Sequence, residues 1–362
     1  MLLDLLYPLK DVSIVFNVFR YITFRSAGAS VTAFLICVLY GPACIRWLKT
    51  LNVIASTKRL HAPALHALSE GKAQVPTMGG LLMVGAVVVA NLLWADLRNK
   101  YILLILVVFV FLGLVGFLDD YLKISRGNSK GLSAFTKFAG QVVVSVFLGI
   151  YLYYDADFEN VVYIPFLKSV ALYLGVLSIF WIAFVIVGSS NALNLTDGLD
   201  GLAIGCSIFA IGSFGIIAYI TGNYNFSTYL HLPFIRGSGE LTVFCASLIG
   251  AGVGFLWFNC HPAEVFMGDT GSLSLGGAIG TVAVLIKNEV LLAVIGGVFV
   301  LEALSVIIQV VVFKKTGKRF FKMAPYHHHL QLSGWPESKV TIRLWIISFI
   351  LALIALSTLK LR

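Results

Sequence analysis

The chain has 362 residues, of which 59% are hydrophobic and 12% are charged, and its mean hydropathy is +0.93. Soluble proteins carry about 25% charged residues, so this composition excludes a soluble globular protein and predicts a polytopic membrane protein. The formal net charge of +9 could suggest nucleic acid as a partner. Loop cations that set the topology and meet anionic lipids explain it more simply.

Apolar runs long enough to cross a bilayer recur along the chain and predict a single all-α transmembrane domain over 1–362. The eighth run is short and rich in glycine. Residues 1–20 carry charges that favour a surface helix over a membrane span. The ten predicted spans are 27–48, 76–95, 101–118, 135–154, 169–188, 199–221, 240–259, 271–287, 289–313 and 341–359.

The distribution of Lys and Arg predicts how these spans are oriented. With the N-terminus outside, most loop cations fall on the inner side, many of them in a large loop at 314–339. Because cytoplasmic loops carry the excess of positive charge, we expect both termini outside and this loop in the cytoplasm. The acidic motifs then all emerge at the cytoplasmic face. Their common location predicts a shared site there.

The third predicted span ends in Asp119-Asp120-Tyr-Leu-Lys123. Neighbouring side chains on a helix point about 100° apart, so we expect at most one of the two carboxylates to aim at a given centre. The simplest interpretation is a polar helix end in which Asp119 pairs with Lys123, four residues on. The alternative is a general base or a magnesium ligand in a phosphate site, because hard cations prefer carboxylate oxygens.

The connection after the fifth predicted span carries two amides and two acids at three-residue steps, at Asn191, Asn194, Asp197 and Asp200. A helical turn would bring several of them to one face. Thr196 or Asp197 could simply cap the next helix. A cap uses only one polar residue of the four, so we expect the set to bind a sugar or ribose together with a metal ion.

The connection between the seventh and eighth predicted spans contains Asn259, Phe266 and the string Gly268-Asp269-Thr-Gly271. Glycines beside Asp269 let backbone amides approach an anion, and the start of the following helix favours negative charge. Asp269 could cap that helix or hold a cation that bridges phosphates. Phe266 could pack within the loop or offer a stacking surface to a base.

Three further features are polar. Lys72 precedes the second span and Thr77 lies at its start, where they could contact a ligand or only begin a helix. Three consecutive histidines, His327–His329, cannot easily converge on one ion, which argues against zinc and favours contacts with phosphates or a carboxylate. Glu302 and Gln309 lie on one face of the ninth span. An acid inside a span is a candidate functional residue, although Glu302 could also only hydrogen-bond a neighbouring helix.

Five strings, taken in order, resemble those of the polyprenyl-phosphate sugar-1-phosphate transferases, and more narrowly the branch of bacterial peptidoglycan synthesis that uses UDP-MurNAc-pentapeptide. The resemblance runs from about residue 20 to the C-terminus and covers every predicted inner loop. Each string is weak alone, whereas the ordered set on predicted spans is specific. The strings are Pro76-Thr-Met-Gly-Gly80, Asp119-Asp120, Asn194-Leu-Thr-Asp-Gly-Leu-Asp-Gly201, Phe266-Met-Gly-Asp-Thr-Gly-Ser272 and Met323-Ala-Pro-Tyr-His-His-His329.

The resemblance implies a reaction and its partners. Phospho-MurNAc-pentapeptide is transferred from UDP-MurNAc-pentapeptide to undecaprenyl phosphate, giving lipid I and UMP, with Mg²⁺ as cofactor. The protein is expected in the bacterial cytoplasmic (inner) membrane, in contact with membrane lipids and with no role for nucleic acid. A homodimer is a further expectation.

The resemblance also assigns roles to the matching positions. Asp269 and Asn194 resemble the magnesium site, and Asp119, Asp120 and Asp197 resemble the remaining catalytic carboxylates. The residues that resemble donor and cleft contacts are Lys72, Thr77, Asn191, Asp200, Asn259, Phe266, Gln309, His327, His328 and His329.

Two departures and two rival functions accompany this resemblance. Residues 73–75 read Ala-Gln-Val where the family often has Gly-Thr, and Gln331 stands where an acid commonly follows the histidines. A sister enzyme that uses UDP-GlcNAc typically carries a different His/Arg pattern in the last inner loop. An ion-coupled transporter would place its binding groups near the bilayer midplane on repeated helices. Acids gathered at one face, without an internal repeat, favour the transferase.

Overall fold

The structure is a computed structural model that describes residues 2–51, 53, 74–126, 131–164 and 171–361. Helices dominate it, which confirms the predicted all-α class. A two-stranded antiparallel hairpin, β1 (Val161–Tyr163) and β2 (Ala171–Tyr173), pairs Val161 with Tyr173. The helices are α1 (Leu2–Leu6), α2 (Ile22–Thr50), α3 (Gly80–Trp94), α4 (Lys100–Ser125), α5 (Ala134–Tyr154), α6 (Leu177–Thr196), α7 (Leu202–Thr221), α8 (Tyr224–Leu230), α9 (Leu241–Asn259), α10 (Gly268–Leu285), α11 (Glu289–Ile295), α12 (Gly297–Thr316), α13 (Tyr326–Gln331) and α14 (Glu337–Ser357).

Eight helices in the described part of the chain are long and apolar enough to cross a membrane. They confirm a multi-pass membrane protein, whereas the predicted count of ten spans and the orientation stay predictions. The eight are α2, α4, α5, α6, α7, α9, α12 and α14, where the spans of α9 and α14 extend to Ser238–Asn259 and Glu337–Lys360. Helix α3, predicted as a full span, is a shorter apolar helix.

Several predicted boundaries are wrong. The ninth predicted span is two helices, α11 and α12, that meet at Gly296-Gly297, where the absence of side chains weakens helix continuity. The fifth begins at Leu177 rather than 169, because Ala171–Tyr173 pairs as a strand. In residues 1–20, the short α1 is followed by two 3₁₀ helices instead of one continuous surface helix.

Helix α10 lies at the centre of the bundle, where it packs against α4 and α6. Every residue from Thr270 to Leu285 is buried. Glycine makes the approach of α4 possible, because a Cβ atom on Gly116 would lie only 2.2 Å from the Asp269 carbonyl oxygen. Two helix ends that carry acidic residues are thereby brought into direct contact.

Two local signals place polar groups at this end of the bundle. The Ser133 hydroxyl accepts a hydrogen bond from the Thr136 backbone N–H at 3.0 Å and so caps the start of α5, which puts Lys137 on the first turn. Gly268 begins α10 at a φ of +73°, in the left-handed region that favours glycine. The sharp turn at Gly268 sets Asp269 on the first turn of α10.

Candidate active site

Asp119, Asp120 and Asp269 meet where the end of α4 contacts the start of α10. Carboxylate oxygens of the three residues all lie within 4.8 Å of one another. The expectation that at most one of the adjacent pair would aim at a common centre is therefore wrong. A centre midway between two directions about 100° apart lies within reach of both side chains. Acids separated by 150 residues of sequence thus form one cluster.

Each member of the adjacent pair is fixed by a different backbone group. Asp119 Oδ1 accepts a hydrogen bond from the Leu132 backbone N–H at 2.6 Å. Asp120 Oδ2 accepts from the Thr270 backbone N–H at 3.0 Å and from the Thr270 hydroxyl at 2.9 Å. Asp120 therefore holds the first turn of α10, while Asp119 Oδ2 faces the lysines of the cluster.

Two lysines neutralise part of this negative charge. Lys123 Nζ lies 2.7 Å from Asp119 Oδ2 and 2.8 Å from Asp269 Oδ2, so the predicted pair with Asp119 forms but is shared with Asp269. Lys137 Nζ lies 2.7 Å from Asp269 Oδ2. In the sequence, Lys137 is one of the predicted inner-side cations and was interpreted only as a topology signal. A cation on the first turn of an otherwise apolar helix was the overlooked indication.

Asn194, predicted as a metal ligand, reaches the cluster from the end of α6. Its Nδ2 donates to Asp269 Oδ1 and to the Ser272 hydroxyl, both at 2.7 Å. In this arrangement Asn194 orients the Asp269 carboxylate, and it would become a ligand only with its amide oxygen turned inwards. The ligand role of Asn194 stays a prediction.

Asp197 directly follows α6 and lies close to the acidic cluster. Burial, followed by the negative charges of Asp269 and Asp120, raises the pKa of Asp197 to about 7. A carboxyl group with such a pKa is partly protonated at neutral pH, so Asp197 can donate as well as accept a hydrogen bond.

The residues predicted to contact a nucleotide lie in adjoining loops. Phe266 accepts at its carbonyl from the Gly79 N–H and donates its own N–H to the Pro76 carbonyl, both at 2.8 Å, which brings the Thr77 segment beside it. The Phe266 ring is only partly buried. Asn259 is buried and holds this loop, because its Nδ2 donates to the Val265 carbonyl at 2.8 Å.

Asp200 is buried beside the half-exposed His261, with 2.9 Å between Asp200 Oδ2 and His261 Nδ1. Its backbone N–H donates to Glu337 Oε1 at 2.9 Å. Asp200, His261 and Glu337 form a second group whose ligand atoms lie within 4.8 Å of one another. Neither His261 nor Glu337 was predicted as a site residue, since neither stands out within a recognisable motif of the sequence.

The three histidines lie in three different environments. His327 is fully buried, and its Nδ1 is 3.2 Å from Glu302 Oε2. His328, also buried, places Nδ1 2.9 Å from Gln331 Oε1. His329 Nδ1 accepts from the Lys322 backbone N–H at 3.2 Å. The side chains diverge, as expected for three consecutive residues on a helix.

Glu302 contacts the histidines directly, whereas Gln309 holds the loop that precedes them. The intramembrane carboxylate of Glu302 is fully buried and accepts from the His327 backbone N–H at 3.3 Å. Gln309 Oε1 accepts from the Phe321 N–H at 2.9 Å. His327 in turn lies against the loop after α6, because a Cβ atom on Gly198 would be 2.3 Å from His327 Nε2. The histidine segment thereby contacts the loop that contains Asp197.

Two predicted contacts remain. Asn191 Nδ2 donates to Gln141 Oε1 on α5 at 2.5 Å, so its amide is engaged within the protein. Lys72 lies outside the described residues. The predicted contacts of Lys72, Thr77, Asn191, Asp200, Asn259, Phe266, Gln309 and His327–His329 with a substrate stay predictions.

The fold and this cluster define an integral membrane protein with carboxylates and lysines gathered where helix ends meet. The family described as glycosyl transferase family 4 matches residues 102–287. Proteins named phospho-N-acetylmuramoyl-pentapeptide-transferase match the whole chain over their whole length. They include those of Syntrophus aciditrophicus (51% identical over 363 residues), Granulibacter bethesdensis (51% over 364) and Desulfotalea psychrophila (50% over 363).

The chain therefore belongs to glycosyl transferase family 4 and, within it, to the phospho-N-acetylmuramoyl-pentapeptide-transferases. It is a membrane-embedded transferase. The expected family is confirmed, and the described spans agree with it.

Proposed function

We propose that this protein transfers phospho-MurNAc-pentapeptide from UDP-MurNAc-pentapeptide to undecaprenyl phosphate, producing lipid I and UMP for peptidoglycan synthesis. The observation that carries the proposal is the convergence of Asp119, Asp120 and Asp269 with Lys123 and Lys137 at one end of a helical membrane bundle. Such a site can receive a soluble nucleotide donor and a lipid-bound acceptor at the same point.

The proposal includes Mg²⁺ as cofactor. The three carboxylates offer only oxygen ligands, which suit a hard divalent cation. Lys123 Nζ stands among them at 2.7–3.7 Å, so the cluster already accommodates positive charge at that point. Asp269 would hold the ion, with Asp119 and Asp120 beside it. When bound, the ion would neutralise phosphate charge and stabilise the departing UMP.

The chain's own residues align and neutralise the reacting groups. The acceptor is a phosphate monoester with a second pKa near 6, so it is largely a dianion at neutral pH and needs no strong base. An acceptor oxygen attacks the sugar-bearing phosphorus, and the bond from that phosphorus to the UMP oxygen breaks. Lys123 and Lys137 offset negative charge, while Asn194 keeps Asp269 oriented. Trapping of an aspartyl-phosphate intermediate would contradict this direct attack.

Further parts of the site fit the donor. The partly buried Phe266 ring offers a stacking surface for uracil. Asp200, in the turn after α6, and Gln309, on α12, are expected to lie beside the nucleotide. We also propose that the cluster faces the cytoplasm from the bacterial inner membrane, with both termini outside. This orientation is supported by the excess of Lys and Arg in the predicted inner loops.

The deciding experiment measures UMP release by the purified protein with undecaprenyl phosphate and either UDP-MurNAc-pentapeptide or UDP-GlcNAc. We expect turnover of the muramoyl donor, dependence on Mg²⁺, and a loss of at least about 100-fold in kcat for Asp269→Asn. Asp157→Asn, which changes an exposed acid far from the cluster, is the matched control. Turnover of UDP-GlcNAc alone, or substrate uptake into sealed vesicles without UMP release, would overturn the proposal. Unchanged activity of Asp269→Asn would refute the proposed metal site.

A further inference from the structure

Helices α5 and α6 are joined by two successive polar contacts near the acidic cluster. In the first, Lys137 Nζ and Asn194 Nδ2 donate hydrogen bonds to the two different carboxylate oxygens of Asp269, each at 2.7 Å. In the second, Asn191 Nδ2 donates to Gln141 Oε1 at 2.5 Å, and Gln141 Nε2 lies 3.5 Å from Asn191 Oδ1. Both contacts cross the same helix pair, so the second is in a position to set the geometry of the first.

The helical spacing places the two contacts one above the other. Lys137 and Gln141 are four residues apart on α5, and Asn191 and Asn194 are three residues apart on α6. Residues three or four apart lie on one face of a helix, about one turn from each other. The Gln141–Asn191 contact therefore lies one helical turn from the hydrogen bonds of Lys137 and Asn194 to Asp269, along the interface between α5 and α6.

Gln141 is enclosed by the protein. Its side chain has no solvent exposure, so it cannot touch a substrate. Asn191 Nδ2 is held a second time by the Val187 carbonyl at 2.8 Å, within its own helix. Because an unpaired amide in the interior is costly, the two side chains resist any movement that would separate them. The contact thus opposes sliding of α5 against α6.

We infer that Gln141 and Asn191 are positioning residues that fix the spacing of Lys137 and Asn194 across Asp269. The inference rests on the proposed function, in which Asp269 is the central carboxylate. Asn194 has a short side chain, so its 2.7 Å contact depends on where the α6 backbone lies. A helix shift of about 1 Å would stretch that contact beyond hydrogen-bond range. Lys137, with a longer side chain, could follow the same shift.

The test compares variants of this pair with a matched contact elsewhere. Gln141→Leu and Asn191→Leu each remove one partner, while the exchange Gln141→Asn with Asn191→Gln keeps an amide pair with the same number of methylene groups. The control is Asn91→Leu, because Asn91 is also fully buried and donates to the Ser247 hydroxyl at 2.7 Å. That contact joins α3 to α9 away from the acidic cluster. For each protein, kcat, KM for both substrates and thermal stability are measured.

We expect Gln141→Leu to lower kcat by about 10- to 100-fold with KM for the donor changed less than about threefold, as for misplacement of a reacting group. The exchanged pair should recover most of the lost kcat. Asn91→Leu should lose comparable thermal stability but keep kcat within about threefold of wild type.

Three outcomes would overturn the inference alone. The first is full kcat in Gln141→Leu, and the second is a kcat loss no larger than that of Asn91→Leu at equal loss of stability. If the exchanged pair recovers stability but not kcat, the pair supports only the fold, which also refutes the inference. Wild-type protein that releases no UMP from either donor would instead overturn the proposed function. The two failures are therefore distinguishable.

Discussion

Replacement of Gly116 by alanine tests whether the close approach of α4 to α10 sets the position of Asp269. A Cβ atom at residue 116 would lie 2.2 Å from the Asp269 carbonyl oxygen and 2.6 Å from the Thr270 nitrogen. Contacts of a Cβ atom under 3.0 Å essentially do not occur, so the start of α10 must move away from α4 by at least about 0.8 Å. Both neighbours are backbone atoms, so no side-chain rotation can relieve the clash.

The expected magnitudes separate activity from stability. Alanine stabilises a helix by about 1 kcal/mol relative to glycine, and overpacking costs about 1–3 kcal/mol, so the free energy of unfolding should fall by no more than about 2 kcal/mol. A displacement near 1 Å at a reacting group can lower the rate by about 100-fold. We therefore expect Gly116→Ala to remain folded while its kcat falls by about two orders of magnitude.

The assay is UMP release in the presence of Mg²⁺, measured alongside thermal unfolding in detergent. Gly113→Ala is the matched control on the same helix, because a Cβ atom there would meet its nearest neighbours at an ordinary 3.7 Å. That variant should keep its activity and gain slightly in stability. If Gly116→Ala retained activity within about threefold of Gly113→Ala, the argument that helix contact positions Asp269 would be refuted.

Three further predictions concern buried charge. Because the pKa of Asp197 is raised to about 7 in the folded protein from an ordinary value near 4, the folded state binds more protons than the unfolded state between these values. Stability should therefore fall as pH rises from 5 to 8, and Asp197→Asn should flatten this dependence of Tm on pH. Parallel curves of Tm against pH for the wild type and the variant would contradict the raised pKa of Asp197. Glu302→Leu leaves the His327 N–H without its acceptor, so thermal unfolding should show a loss of about 1–3 kcal/mol in the free energy of unfolding. We also expect kcat to fall, and both losses should be smaller for Glu302→Gln. Glu240→Gln weakens the buried contacts with both terminal nitrogens of Arg25, at 2.5 and 2.7 Å. The free energy of unfolding in detergent should fall by about 3–5 kcal/mol. A loss under about 1 kcal/mol would contradict the burial of this pair.

The family, the all-α class and the residues of the acidic cluster could be predicted because each is encoded locally. Apolar runs report membrane spans directly, and the motifs around Asp119 and Asp269 lie at the ends of such runs. Helix ends that emerge on one side of a bilayer are confined to a thin layer. The predicted topology alone therefore places these acids near each other.

The missed features depend on contacts between distant segments. Gln141 lies inside an apolar run without a motif, and its partner Asn191 is 50 residues away, so no local pattern marks the pair. In the sequence, Lys137 looks like one of the cations that set the topology, and only the packing of α5 beside the start of α10 brings it to Asp269. The break at Gly296 was hidden because the runs on both sides are equally apolar. Such features follow from packing, which short-range periodicity does not report.

The charges of the cluster explain why helix ends alone would not suffice for the proposed reaction. Asp119, Asp120 and Asp269 contribute three negative charges, and Lys123 and Lys137 contribute two positive ones, so the cluster is net negative when all five are ionised. A diphosphate donor and a phosphate acceptor would add further negative charge, and the repulsion between closely spaced like charges is large in a partly buried site. One divalent cation reverses the sign of the cluster without displacing any residue from the helix ends. In the proposed reaction, the carboxylates would hold that cation, and the lysines limit the repulsion among the carboxylates in its absence.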